Sequence, residues 1–540
     1  MKSKSRLRAA LLACGIAVSG WGADSAGAVT FKYAFQGDLN ALDAYSINET
    51  FTIGAMSNVM EALTTRGKDL AIQPSLAERW EVVDPLKWRF YLRKGVKFHG
   101  GEPFTADDVL FSLQRVRSAD SQIKSRVPAD MEAVKVDDYT VDFILKTPNP
   151  ILHAEWDSWH IWSKSYCEKN GCAEVQSPKA TSLQPFALKS NGTGAFMIVS
   201  HEPGVKTVFK PNPDWWGKKE HNLDEVIFQT IKSDATRVAA LLSGEIDMMD
   251  PVPVQDIDRV NASANARVLV GPEIRTIFLN FDQFRDELLY SSVKGKNPFK
   301  DVRVRKAFYQ AIDIETIKTK VMRGSSTPAA LMITPAFFKR AGEFTRLPYD
   351  PEASKKLLAE AGYPDGFELQ MDCPNDRYVN DEAICQAVTA MLARINIKVK
   401  LNAQPKAKFF EKCGATRGKP YDCSFSLLGW SPGSGDSWNV IASHATCRDA
   451  DGNGKVSPAA QASYGGYCNP KVDELSVKIL TETDLNKRDD MIVQAYRIMT
   501  DEVSHIPLHQ QALAWGVSKK VEIVQRPDNQ ILFYWATKKE

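Results

Sequence analysis

LAERWEVVDPLKWRFYLRKGVKFHGGEPFTADDVLFSLQR, residues 76–115, decides the fold class of this chain. Trp88, Phe90 and Leu92 alternate with Arg89, Tyr91 and Arg93, the period-two pattern of a strand with one buried face. Lys94-Gly95 breaks the run, Val96 to Phe98 resumes it, and Gly100-Gly101 turns the chain. Thr105 stands at a helix N-cap with Asp108 three residues on as a capping-box acid. Val109, Leu113 and Val116 then share one helical face. The order is strand, turn, strand, capped helix.

This block resembles the signature of the bacterial extracellular solute-binding proteins of the dipeptide, oligopeptide and nickel family, which deliver ligands to ABC importers. Three further landmarks carry the resemblance: the glycine turn Asn191-Gly192-Thr193-Gly194-Ala195-Phe196, Lys210 to Trp216 (KPNPDWW), and Thr236 to Leu242 followed by Ser243-Gly244-Glu245-Ile246-Asp247. The resemblance covers essentially all of residues 30–540. It implies an α/β periplasmic binding protein fold, two lobes with a central cleft and the first lobe enlarged by an inserted subdomain. Lobe I is expected over 29–278, lobe II over 279–506, and a return to lobe I over 507–540, with the first crossing at Phe278-Leu279-Asn280-Phe281 and the second near Ile506.

Residues 1–28 read as an address. Lys2, Lys4, Arg6 and Arg8 precede an apolar stretch from Ala9 to Val18, and Ala26-Gly27-Ala28 is a small-x-small cleavage site. A lipoprotein box at Leu11-Leu12-Ala13-Cys14 would leave too short an apolar core, so cleavage after Ala28 and a periplasmic location are expected. Removal takes away four positive charges and one negative, turning a formal net charge of +2 into −1. No basic patch interleaves with aromatics, so nucleic acid is not an expected partner.

Eight cysteines remain once Cys14 is removed, an even number for an oxidising compartment. Sequence leaves many connectivities open, but short loops close at the least entropic cost. The expected pairs are Cys167 with Cys172, Cys373 with Cys385, Cys413 with Cys423, and Cys447 with Cys468. Metal-ligand spacing with histidines alongside is absent.

Along the chain, strands and helices alternate. Phe31, Tyr33 and Phe35 mark a first strand, Phe51 to Leu63 a helix, and Asp43 to Glu49 the polar loop between them, where ligands of α/β lobes sit. Val136 to Leu145 reads as another strand, entered by Asp137-Asp138 as a turn. Trp156, Trp159 and Trp162 at spacings of three are either one core face or a ligand wall. Asp350-Pro351 caps a helix that Gly362 stops, and Leu427 to Trp430 ends a strand.

No motif asks for catalysis: GxSxG, HExxH and SxxK in a suitable context are missing. His505 and His509 have Pro507 between them, which argues against a shared helical face and for structural histidines. Asp449-x-Asp451-x-Asn453-Gly454 has calcium-loop spacing, but Ala460 stands where the bidentate glutamate belongs, so this is a weak metal hint only. No cofactor is expected.

The resemblance implies that an aspartate shortly after Gly429-Trp430 holds a ligand's amino terminus. Gly433 occupies that place here and Asp436 follows three residues later. The position carrying a ligand-carboxylate arginine falls near Asn375, with Arg377 close by. The expected ligand-binding set is Asn48, Glu49, Asn280, Asn375, Arg377, Lys406, Trp430, Gly433, Asp436 and Trp438. The expected function is capture of a peptide-like or other small polar solute in the cleft and its delivery to an inner-membrane ABC permease, by a monomer that is not an enzyme. A secreted hydrolase acting on peptides or glycosides, or a ligand sensor or chaperone on the same fold, are the alternatives.

Overall fold

The computed structural model describes residues 28–39, 41–177, 180, 182–413, 422–447 and 465–539. Within it the opening block folds as its periodicity dictates. Lys87–Leu92 is a strand whose residues alternate between half-buried and buried, with Trp88, Phe90 and Leu92 inward. The helix Ala106–Val116 is closed at its start by Asp108, whose carboxylate accepts from the Thr105 N–H at 2.8 Å. Val96 to Phe98 does not resume a strand and contributes only the bridge of Lys97 to Pro103. Val136 to Leu145 is not one strand either. Glu132–Asp137 and Thr140–Ile144 pair antiparallel around the Asp138-Tyr139 turn. Together with Ala77–Asp84 these strands form a separate four-stranded sheet, the inserted subdomain of the first lobe.

An 11-stranded sheet runs through both lobes. Its order is Lys398–Gln404, Glu368–Pro374, Phe425–Trp430, Ala266–Phe281, Ile506–Ser518, Met248–Asp250, Thr30–Phe35, Glu225–Thr230, Lys206–Pro211 and Phe196–Glu202, with Ser326–Pro328 added beside Ile506–Ser518. Ala266–Phe281 and Ile506–Ser518 are long antiparallel partners, and each passes from one core to the other. The first crossing strand places Leu269 against the first-lobe core and Ile277, Leu279 and Phe281 in the second. The second crossing strand places Ile506 and Leu508 in the second-lobe core and Leu513, Trp515 and Val517 in the first. The cores thus change over inside the two strands. Register breaks between Pro272 and Thr276, so Glu273 to Arg275 bulge out of the ladder.

Three tryptophans settle into packing. Trp156, Trp159 and Trp162 are fully buried, and the Arg115 guanidinium lies 4.1 Å over the Trp162 ring. Arg115 also makes a bidentate pair with Asp43, at 3.0 and 2.7 Å, with both side chains fully buried. The Asp43 end of the expected ligand loop is therefore core, not cleft. Gly192 and Gly194 are required where the chain presses on Val59, whose carbonyl oxygen would lie 2.0 Å from a β-carbon at Gly192. The four expected cysteine pairs are the disulfides present in the structure. Among the described residues no helix is long and apolar enough to cross a membrane. The expected leader, apart from Ala28, and the calcium-like loop at Asp449, Asp451 and Asn453 lie outside the described residues.

Candidate functional site

In each lobe, adjacent parallel strands deliver their carboxyl ends to the same place. Phe35 pairs with Asp250 at the ends of two parallel first-lobe strands. Pro374 pairs with Gln404 at the ends of two parallel second-lobe strands, from which the chain runs into Asp376-Arg377-Tyr378 and into Lys406. Strand carboxyl ends are where α/β sheets hold ligands. Here the two sets, with the bulged Glu273 to Arg275 between them, line one cleft of ≈ 770 Å³.

The cleft walls differ in charge. Glu49, Asp234 and Asp250 lie on the first-lobe side, and Arg377 and Lys406 on the second, with Asp376 beside them. The crossing strand supplies Glu273 and Arg275, 3.3 Å apart. Gln511 of the other crossing strand donates to Glu273 at 2.7 Å and accepts from the Val379 N–H at 3.1 Å, tying the hinge to the second-lobe wall. Burial raises Glu273, and Arg275 and Arg377 pull it partly back. Asp250 is 5% exposed. Burial pushes its carboxyl up to about 7, against the Asn529 amide that donates to it at 3.1 Å; Glu273 adds to the rise and Arg237 opposes it. Tyr33, Phe35, Phe51 and Tyr378 give the cleft flat apolar area. The guanidiniums of Arg377 and Arg275 lie 5.2 and 5.8 Å from the Tyr378 ring.

Of the residues expected to bind ligand, Asn48, Glu49, Arg377 and Lys406 are brought together on this cleft. The others are not. Asn375 is exposed on the same loop but outside the lining. Asn280 is buried in the second lobe, in register with Ser426. Trp430 donates to Asn439 at 3.0 Å, and Trp438 is buried and donates to the Ser476 carbonyl at 3.1 Å. A β-carbon at Gly433 would meet nothing within 4 Å.

Asp436 lies outside the cleft lining and is engaged elsewhere. Its carboxylate accepts from the Trp438 N–H at 2.7 Å, capping the helix Ser437–His444, and from both terminal nitrogens of Arg488 at 2.7 and 2.8 Å. The Gly/Ser-rich run between the tryptophans hid this, because the partner lies 52 residues away. Asp250 and Glu273, outside the expected set, also line the cleft. Met248-Met249-Asp250-Pro251 does carry a signal, an acid at the carboxyl end of a short apolar strand. No metal centre emerges from Asp372, Cys413 and Cys423, which lie close together. The two sulfurs are bonded to each other, and Lys412 and Asn402 hold the carboxylate.

The family model described as bacterial extracellular solute-binding proteins, family 5 Middle, matches residues 71–452, well over half of the chain. The chain belongs to this family. Among the family's curated relatives, a dipeptide-binding protein of Escherichia coli (strain K12) is 25% identical over 474 residues, 83% of each chain. Heme-binding protein A of Haemophilus influenzae is 26% identical over 489 residues, 86% of this solute-binding chain and 83% of the relative. Among solved structures, HbpA2 from Haemophilus parasuis superposes with a TM-score of 0.78 at 25% identity, covering 95% of this chain and all of that one.

Proposed function

We propose that this solute-binding protein is the periplasmic component of an ABC importer, capturing a small polar or peptide-like solute between its lobes and presenting it to an inner-membrane permease. One observation carries the reading. The strand ends of both lobes converge on one cleft, and among the described residues two strands cross between the cores. Two crossing strands form a hinge, and a solute touching both walls stabilises the closed arrangement, shifting a pre-existing equilibrium. The relatives named for dipeptides and heme support a binding role and leave the solute's identity open.

Protein isolated from the native periplasm, and the same protein stripped of bound solute by unfolding and refolding, should differ in small-angle scattering, the loaded form being more compact. Identical curves from the two preparations would count against closure. Mass spectrometry of the released compound identifies the solute, and recovery of cleavage products alone would favour the secreted hydrolase.

Arg377 and Lys406 are exposed, and neither has an ion-pair partner among the described residues. Arg377→Gln and Lys406→Gln are therefore expected to leave stability within about 0.5 kcal/mol of wild type. If they hold an anionic group of the identified solute, each raises its Kd about 10-fold by loss of a charged hydrogen bond. Calorimetric titration of the two variants checks this, and an unchanged Kd in both removes the second-lobe cations from the site.

A further inference from the structure

Four carboxylates face the cleft from the first lobe and the crossing strand, and three of them are accounted for. Asp234 is bonded to Arg237, Glu273 to Arg275 and Gln511, and Glu49 is exposed and accepts from Thr52 at 3.1 Å. Asp250 differs. It is more than nine-tenths buried, lines the cleft, accepts one hydrogen bond from the neutral Asn529, and has no ion-pair partner among the described residues. A buried carboxylate without a counter-charge is costly, and a cation entering from the cleft relieves that cost. Asp436, the acid nearest Gly433, is committed to Arg488. Arg377 and Lys406 line the same cleft and, among the described residues, are likewise without an ion-pair partner.

We propose that Asp250, backed by Glu273, is the cation subsite of the cleft, and that the solute is a zwitterion. Its N–H-bearing cation lies against the first lobe and its anionic group against Arg377 and Lys406. This deepens the capture reading and rests on it. It also sets the polarity: the cationic end stays with the first lobe and the hinge, and the anionic end is what recruits the second lobe.

The test is a thermal-shift screen of stripped protein at pH 8 against four sets of probes: zwitterions (the common amino acids and a dipeptide set), cations (putrescine and agmatine), dianions (succinate and glutarate), and neutral sugars (sucrose and trehalose). Zwitterions alone are expected to raise the melting temperature. For the strongest of them, Asp250→Asn is expected to raise Kd about 10- to 150-fold. That variant keeps an oxygen for Asn529 and removes a buried charge, so it should melt no lower than wild type at pH 8. Glu273→Gln, which leaves the Asp250 carboxylate in place, should weaken binding less. Stabilisation by a neutral sugar or a dianion, no stabilisation by any zwitterion, or wild-type affinity in Asp250→Asn overturns the proposal. A sugar that compacts the protein would sink this inference and leave the capture reading standing. A zwitterion bound through Asp250 without compaction would do the reverse.

Discussion

Replacing Asp436 with alanine is expected to lower folding stability by about 3–5 kcal/mol and to leave solute affinity unchanged. The Arg488 side chain is 4% exposed and the Asp436 side chain 17%, so the bidentate pair is shielded from water. Arg488 also donates through Nε to the Ile479 carbonyl at 2.9 Å, which pins the guanidinium in place. It cannot swing out to water when its partner is lost, and a buried charge remains without its bidentate carboxylate. The helix Ser437–His444 loses its N-cap in the same step, a further loss of about 1 kcal/mol. Asp436→Asn keeps one acceptor for the Trp438 N–H and should fall in between. Urea midpoints and calorimetric titration on the same preparations decide the matter. If the alanine variant unfolds like wild type and binds solute weakly, the carboxylate belongs to the cleft after all.

Stability is expected to peak near pH 6.5 and to fall on both sides. Burial holds His99, His153, His160 and His509 down at about 4, and His444 lower still. In the unfolded chain these rings take up protons near the ordinary histidine value of about 6.5. Their contribution is thus complete above 6.5 and is lost as pH falls toward 4. Burial raises Glu61, Glu155 and Asp250 to about 7, which has the opposite sign. Their contribution is complete below the unfolded carboxylate range and is lost as pH rises through 7. Between pH 6.5 and 5 the histidines outnumber the three acids, so unfolding takes up protons and stability falls on acidification. Above 6.5 only the acids remain in play, and stability declines through pH 7. Melting temperatures at pH 8, 6.5 and 5 should show the maximum at the middle value, and greater stability at pH 5 than at 6.5 would contradict it.

The family and most of the framework were legible in the sequence because they rest on short-range rules. The alternation of Trp88, Phe90 and Leu92, the Thr105 and Asp108 capping box, and the Asp350 cap, which accepts from the Ala353 N–H at 2.9 Å, involve residues at most a few positions apart. The cysteine pairs are also short-range, spanning 5 to 21 residues, whereas Gly192 and Gly194 are required by a remote neighbour, Val59. Local spacing misled where two readings share one pattern. Val136 to Leu145 has strand composition on both sides of a turn, and the loop from Asp43 to Glu49 gave no local sign that its first member meets Arg115 in the core.

The sequence by itself determined alternating strands and capped helices through local periodicity, caps and turns, and its resemblance to a known family implied the two-lobed α/β solute-binding fold. The site was decided only by tertiary structure. Asp436 and Asp250 are both acids at the edge of apolar segments, and nothing local separates them. Arg488, 52 residues from Asp436, converts that acid into a structural anchor, while Asp250, with only Asn529 from the far end of the chain, is left facing the cleft. A carboxylate's role is set by whether a counter-charge lies within a few ångströms, and in this fold the nearest neighbours in space are remote in sequence.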